Sequence, residues 1–572
     1  MHYDISLKSP LSHLINIEVG CKTTQKSVIF YLPIWRPGRY EAAHYAKNIQ
    51  KIEFRGDDGS VLNYRKLNHS SWEVHNPNQQ KILVSYTYYA HQMDAGNSWY
   101  SDEQLYLNFI NCLLYVKDQL DEPCLVKLNI PDTWKIACAL DHIDGTLKAS
   151  NYYHLVDCPM IASPTISEVA YKSYGVPFKI WWQGRSNLNK DQLVRDFKKF
   201  SDCQIALFNE FPDNQYYFLN QFVPYKFYHG VEHGSSTVIC IGPASELNSE
   251  ELYNELIGVS SHELFHAWNI IKIRPKELMP YKFDEPANFS TGFVAEGFTT
   301  YYGDLMLKRS GVRPLKWYLT ELSKLLTRHF HNYGRFHNSV INSSIDLWVD
   351  GYQASAPHKK SSIYVEGALI ALCLDLKIRL KHHQTKSLDD VMRILWSDYG
   401  KTGIGYSDQD IVKVCERVFD ASLADFFTEH VYGTANKWEL LQELFLEFGL
   451  YLMREPNAKS FEGLTGAKVL ASGGKFIIAA IEPESIAEEH LSLRDEVIHI
   501  NGEPLTDELI KTVRSISSLT IIRNGEDLGI QLAANDNRYW QPIRVMLTPE
   551  PTNLQASNLE SWLDDHLMDA ND

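Results

Sequence analysis

Over the first 170 residues, apolar and polar positions alternate in short runs such as Leu14-Ile15-Asn16-Ile17-Glu18-Val19, Ser27-Val28-Ile29-Phe30-Tyr31-Leu32 and Lys81-Ile82-Leu83-Val84-Ser85-Tyr86-Thr87-Tyr88. A period of two sends successive side chains to opposite faces, so each run predicts a half-buried strand. Punctuation such as Trp35-Arg36-Pro37-Gly38-Arg39 predicts the turns between them. The expectation for residues 1–170 is a β-rich domain of sandwich or saddle type that supports or walls a site. From about 190 to 450 the period lengthens, and 191–208, 249–273, 293–309, 315–329, 363–382 and 388–397 carry apolar residues at helical spacing. This predicts a mainly helical domain over 171–455. A polar linker holding Pro456 then leads into a second β-rich segment, 456–550, with strands expected at 475–481, 496–500 and 519–523 and a turn at Asn501-Gly502. Residues 551–572, rich in aspartate near the end, read as a solvated acidic tail.

Composition narrows the class. With 44% apolar and 22% charged residues over 572 positions, the chain can bury several cores, which excludes a disordered or fibrous protein. A net charge of -16 with no offsetting basic block argues against a partner bound by phosphate neutralisation, so nucleic acid is not expected. The longest apolar stretch, near 368–374, soon meets Asp375, Lys377 and Arg379, and the first twenty residues lack the pattern of a signal peptide. Nine cysteines scattered singly without a CxxC pair read as reduced core thiols, and a cytoplasmic location without membrane contact is the expectation.

One string carries chemistry. His262-Glu263-Leu264-Phe265-His266 lies in a run that reads as helix, where residues four apart share a face. Both imidazoles can then reach one zinc ion, with Glu263 beside them to polarise a metal-bound water. In a chain with 22 histidines such a string can arise by chance, so a third ligand is needed. Glu296, set among apolar residues in Phe293-Val294-Ala295-Glu296-Gly297-Phe298, is the candidate, because a carboxylate buried there requires a partner. Upstream, His229-Gly230-Val231-Glu232-His233 runs into a strand. Glu232 can pair with a substrate ammonium while strand backbone around Gly230 binds peptide by edge addition. His233 reads as a structural histidine rather than a fourth ligand. Tyr364, opening the predicted helix at 363, can donate to an oxyanion, although among 32 tyrosines it has rivals in Tyr301 and Tyr302.

Together these pieces resemble the glycyl aminopeptidase family of gluzincin metallopeptidases. The likeness is carried by Trp35-Arg36-Pro37-Gly38-Arg39-Tyr40, Gly230-Val231-Glu232-His233, His262-Glu263-Leu264-Phe265-His266-Ala267-Trp268-Asn269, Arg274-Pro275 and Glu296-Gly297-Phe298-Thr299-Thr300-Tyr301-Tyr302. The resemblance implies a multidomain α+β protein: a β-rich N-terminal domain, a thermolysin-like, mainly helical catalytic domain and a C-terminal PDZ-like domain. It implies one Zn2+ per chain held by His262, His266 and Glu296, with Glu263 as general base and Glu232 as the ammonium anchor. It further implies peptide substrates with a free N-terminus and a small first residue, Gly or Ala. In larger gluzincin aminopeptidases a Tyr-x-Lys-Gly-Ala string supplies the transition-state tyrosine, and Tyr364 stands in a similar string in which Glu366 replaces the lysine. The C-terminal segment departs from the PDZ pattern at Arg494, where a glycine is usual. Its Gly463-Leu464-Thr465-Gly466 only loosely echoes a carboxylate-binding loop. The expected function is therefore a zinc aminopeptidase. The alternatives are a zinc endopeptidase whose PDZ-like domain holds substrate tails, and a non-catalytic peptide-binding scaffold.

Overall fold

The computed structural model describes residues 1–563. The alternating runs of the N-terminal part form a seven-stranded sheet in which His2–Ser9 lies between Cys124–Asn129 and Leu14–Cys21, with smaller three- and four-stranded sheets against it. Its apolar faces meet in a core containing Ile5, Ile17, Val84, Val126 and Leu147, all essentially inaccessible to water. The chain is thus multidomain α+β, with a β-rich N-terminal part and a helical region after it.

A five-stranded sheet joins the two, in the order Ser167–Ser173, Val176–Gln183, Tyr216–Phe222, Ser236–Gly242, Phe227–Glu232. Phe227–Glu232 is the edge strand and pairs antiparallel with Ser236–Gly242 alone, so its outer backbone groups are open to a further strand. Helices Lys190–Phe208, Glu250–Phe265, Thr299–Arg309, Leu315–Phe330 and Ile363–Lys381 pack beside and behind this sheet around one large core.

Two helix boundaries differ from the periodic reading, and both differences lie at the site. The run expected over 249–273 is helical only as far as Phe265. Beyond it the chain turns, because Asn269 Nδ2 donates to Val294 O (2.8 Å) and the Asn269 carbonyl faces His266 Nδ1 (2.6 Å). The apolar residues from 267 to 273 are buried by this turn rather than by a helix face. The expected helix at 293–309 opens with a π-helical stretch, Phe293–Phe298, before the α-helix Thr299–Arg309. Gly297 lets it press on the helix Ile363–Lys381, since a β-carbon there would collide with the Gly367 backbone.

In the C-terminal part, Lys475–Ile481, Glu496–Ile500 and Ser518–Arg523 are strands, and Asn501 and Gly502 turn with φ +52 and +83. The expected carboxylate-binding loop is not a free cradle. Residues 463–465 lie in the helix Ser460–Thr465, and the amides of Gly463, Gly466 and Ala467 bond to Lys459 O, Glu462 O and Thr465 Oγ1. From about 532 the chain returns to the helical region, where Ile543–Leu547 pairs with Leu450–Arg454. The expected tail is also corrected over its first half: Asn553–Leu563 is a helix, with Trp562 fully buried and bonded through Nε1 to Tyr301 Oη at 2.9 Å. An indole of that size is driven inward by its apolar area. The acidic residues Asp564, Asp565, Asp569 and Asp572 lie outside the described residues. All nine cysteines are buried and free, and no helix among the described residues is long and apolar enough to cross a membrane.

Candidate metal centre and cleft

Ser249 caps the motif helix by accepting from Leu252 N (3.2 Å), and Glu250 and Glu251 complement its first turn. The helix runs over the sheet, and Tyr216 Oη donates to Glu263 O at 3.2 Å, fixing the height at which its last turn meets the edge strand. Here His262 Nε2 and His266 Nε2 stand 3.0 Å apart, and Glu296 Oε2 lies 3.7 Å from the first and 3.3 Å from the second. Ligand atoms about 2.0–2.1 Å from a tetrahedral zinc would be roughly 3.3 Å apart, so the three atoms stand at the spacing such an ion requires. The carbonyl of Asn269 can only accept, so His266 Nδ1 carries the proton and Nε2 keeps its lone pair for a metal.

Electrostatics favour a cation at the same point. Burial raises the Glu296 carboxyl, but His266 and His262 outweigh it and bring it down to about 2. Burial lowers the His266 imidazole, and Glu296, followed by Glu232 and Glu263, lifts it to about 10. A second cluster, Glu232, Glu263 and His266, also has its ligating atoms within 4.8 Å of one another. Burial pushes the carboxyls of Glu232 and Glu263 upward, His266 opposes the shift, and Glu296 adds to it. Five side chains expected from sequence, His262, Glu263, His266, Glu296 and Glu232, therefore fall into two clusters joined at His266.

The edge strand brings Gly230 and Glu232 to the face that meets the motif helix. At Gly230 a β-carbon would overlap Glu263 Oε1, so only glycine lets strand and helix come this close. Glu232 is closed off from the far side by Gly38 of the N-terminal part. The neighbouring loop around Asp94 braces the same strand, with Ala95 N donating to His229 Nδ1 at 3.3 Å. His233 faces away from the metal cluster and bonds to Asp157 Oδ1 at 3.2 Å.

The tyrosines separate clearly. Tyr301 Oη donates to Asp375 Oδ2 (2.5 Å) and Tyr302 Oη to Asp389 Oδ1 (2.9 Å), so both protons are committed behind the site. Tyr364 Oη has no hydrogen-bond partner among the described residues. Burial first, then the charge of Glu296, holds this phenol well above its ordinary range. Glu366, in the place of the lysine of the larger gluzincin aminopeptidases, is held in a buried pairing with His329 Nδ1 (2.5 Å) and Lys437 Nζ (3.1 Å). Tyr40 and Tyr352, which sequence alone did not single out, share the charges of Glu296 and Glu232 with Tyr364. Tyr40 stood in the WRPGRY string, which was a usable signal. Tyr352 had none.

A β-rich part closing over a helix that presents His262, Glu263 and His266 beside a glutamate from a second helix defines a peptidase. The chain matches two M61 peptidase models: residues 2–164 match the peptidase M61 N-terminal domain and residues 255–370 the M61 glycyl aminopeptidase. Among solved structures it is similar to an aminopeptidase N family protein from Idiomarina loihiensis, at 26% identity and a TM-score of 0.89, over 98% of this chain and 99% of that one. An M1 zinc metallopeptidase mutant from Deinococcus radiodurans, bound to a Tyr-Ser-Ala substrate, aligns at 14% identity and a TM-score of 0.47, over 76% of this chain and 94% of that one. No curated protein matches the chain.

Proposed function

We propose that this peptidase is a zinc-dependent aminopeptidase that removes small N-terminal residues, Gly or Ala, from peptides. The observation that carries the reading is the position of Glu232. It lies at the end of an open strand edge, within 4.8 Å of both Glu263 and His266, with Gly38 packed against its carboxylate. A peptide added to that edge meets a closed, negatively charged end, where a free α-ammonium is paired and an acylated one is not. The backbone of Gly38 crowds the same end, which favours a small first side chain.

His262, His266 and Glu296 would hold the ion. When bound, zinc supplies Lewis-acid polarisation of the scissile carbonyl and lowers the pKa of a coordinated water. Glu263 sits with one carboxylate oxygen buried and unpartnered, in position to take a proton from the attacking water and pass it to the leaving amine. Tyr364 donates to the carbonyl oxygen as charge builds on it. Glu232 orients the substrate through its ammonium. The C-terminal segment is not needed for this chemistry, and with the amides of 463, 466 and 467 already bonded, a PDZ-type hold on substrate tails gains no support.

The test is hydrolysis of free and N-acetylated glycyl and alanyl peptides, with chelator and with zinc restored. Chelator-sensitive cleavage of the free peptides alone is expected. Cleavage of both would favour an endopeptidase. Cleavage of neither by zinc-loaded protein would favour a binding scaffold.

A further inference from the structure

The edge strand Phe227–Glu232 changes character along its length. Val231 and Glu232 are buried at its closed end, Phe227, His229 and Gly230 are half-buried, and Tyr228 is 57% exposed. Side chains two apart in a strand share a face. Gly230 faces the motif helix, since a β-carbon there would collide with Glu263 Oε1 and Val259 Cγ2, so Tyr228 stands on that face as well. Phe227 and His229 take the opposite face, where their ring centroids are 6.4 Å apart and the ring of Tyr225 lies 6.2 Å from Phe227. The strand edge left open to a peptide is therefore lined by aromatic rings, and the most exposed of them is on the same side as the site.

Register follows from the two fixed points. A peptide that adds antiparallel to this edge, with its ammonium at Glu232, runs back toward Phe227. Glu263, the base in the proposed chemistry, packs on Gly230, so the bond to be cut is level with Gly230. With the first residue opposite Gly230, the second stands opposite His229, the third opposite Tyr228 and the fourth opposite Phe227. Directly opposed residues of an antiparallel pair send their side chains to one face, with β-carbons about 4.5–5.5 Å apart. The third side chain thus lies over the Tyr228 ring and covers apolar area that is in water when the edge is empty. Phe227 is the first residue of the strand, so the edge offers a fifth residue nothing to pair with.

We propose that Tyr228 is a specificity-determining residue that selects an aromatic or large apolar side chain at the third position of the peptide, and that the open positions 227–230 set the reach of the cleft at four residues. The inference rests on the aminopeptidase reading and deepens it. The closed end admits a small first residue, and selection among substrates is made two residues beyond it, on the exposed part of the same strand.

The experiment compares kcat/KM of the zinc-loaded full chain, wild type, Tyr228→Thr and Tyr228→Phe, on Ala-Ala-Phe-Ala and Ala-Ala-Gly-Ala, and on alanyl peptides of two to six residues. Threonine keeps a strand-forming side chain and removes the ring; phenylalanine keeps the ring. The wild type is expected to prefer the Phe peptide about 3- to 10-fold, the worth of a cross-strand aromatic contact. That preference is expected to fall to near unity in Tyr228→Thr and to survive in Tyr228→Phe, and kcat/KM is expected to rise with length up to four residues and then level off. Equal wild-type rates on the two tetrapeptides, a preference that survives Tyr228→Thr, or a rate still rising beyond four residues overturns the proposal. Calorimetric titration of the same peptides onto Glu263→Gln protein, with and without Tyr228→Thr, gives a ratio of Kd values that needs no turnover. A wild type that cleaves no free peptide, or cleaves acetylated ones equally, loses the aminopeptidase reading, while that ratio still decides the part played by Tyr228.

Discussion

A β-carbon on Gly38 would stand 2.5 Å from Glu232 Oε2. The residue packed against the Glu232 carboxylate thus comes from the N-terminal part and lacks a side chain because the carboxylate occupies the space. The φ of Gly38, +77, is also one that only glycine adopts at little cost. Gly38→Ala is expected to cost about 1–3 kcal/mol of stability through backbone strain. It is also expected to lower kcat/KM on alanyl peptides by displacing Glu232. Urea titration and steady-state kinetics read the two effects separately, and a variant with wild-type kinetics would show that Gly38 does not shape the site.

Glu263→Gln keeps the shape of the side chain against Gly230 and removes its basicity. Turnover is expected to fall by about 10²–10⁴-fold, with zinc content as in the wild type. Activity retained by a zinc-replete variant would move the base elsewhere.

Glu232→Ala removes the proposed anchor for the substrate ammonium. Its kcat/KM on free alanyl peptides is expected to fall, and the preference for free over N-acetylated peptides to shrink toward unity. A preserved preference would mean that another group selects the free amine.

The Glu366 pairing bears on acid stability. Burial raises this carboxyl, but His329 and Lys437 outweigh it and bring it from 4.5 to about 2. A carboxyl depressed in the folded state binds its proton more readily when unfolded. Its stabilisation is therefore present above pH 4.5 and is lost as pH falls toward about 2. The full amount is on the order of 3 kcal/mol for a shift of that size. Glu366→Gln is expected to unfold more easily near neutrality and to lose less stability than the wild type across that window. Parallel slopes in denaturant titrations from pH 5 to pH 2.5 would contradict this.

Trp562 closes the back of the helical core against Tyr318 and Phe448, with ring centroids 5.9 and 5.6 Å away. Trp562→Ala is expected to cost about 3–5 kcal/mol. Removing the chain after residue 552 is expected to lower Tm at least as far. A thermal melt of either variant that coincides with the wild type would contradict the packing role of this helix.

The paired histidines of the motif helix were legible because helical spacing alone brings residues four apart to one face. Glu296 was legible because its neighbours are too apolar to leave it exposed. The π-helical stretch around Glu296 was hidden, since an apolar run at helical spacing looks the same with five residues per hydrogen-bonded turn as with four. The end of the motif helix at Phe265 was hidden for a related reason. The apolar side chains up to Ile273 are buried in either geometry, and the deciding contact, Asn269 with Val294, is long-range.

The sequence by itself determined the β-rich and helical regions and pointed to His262, His266, Glu296 and Glu263 as one candidate site, because these follow from local period and from the cost of burying a charge. Only the tertiary structure decided which tyrosine protons are already committed. Tyr301, Tyr302 and Tyr364 are alike as residues, and what separates them is whether an acceptor such as Asp375 or Asp389 already holds the proton. It also decided that Gly38 packs against the Glu232 carboxylate. Residues more than a hundred positions away in the chain come to bear on the cleft only once the cores have packed, and no local pattern records where packing will bring them.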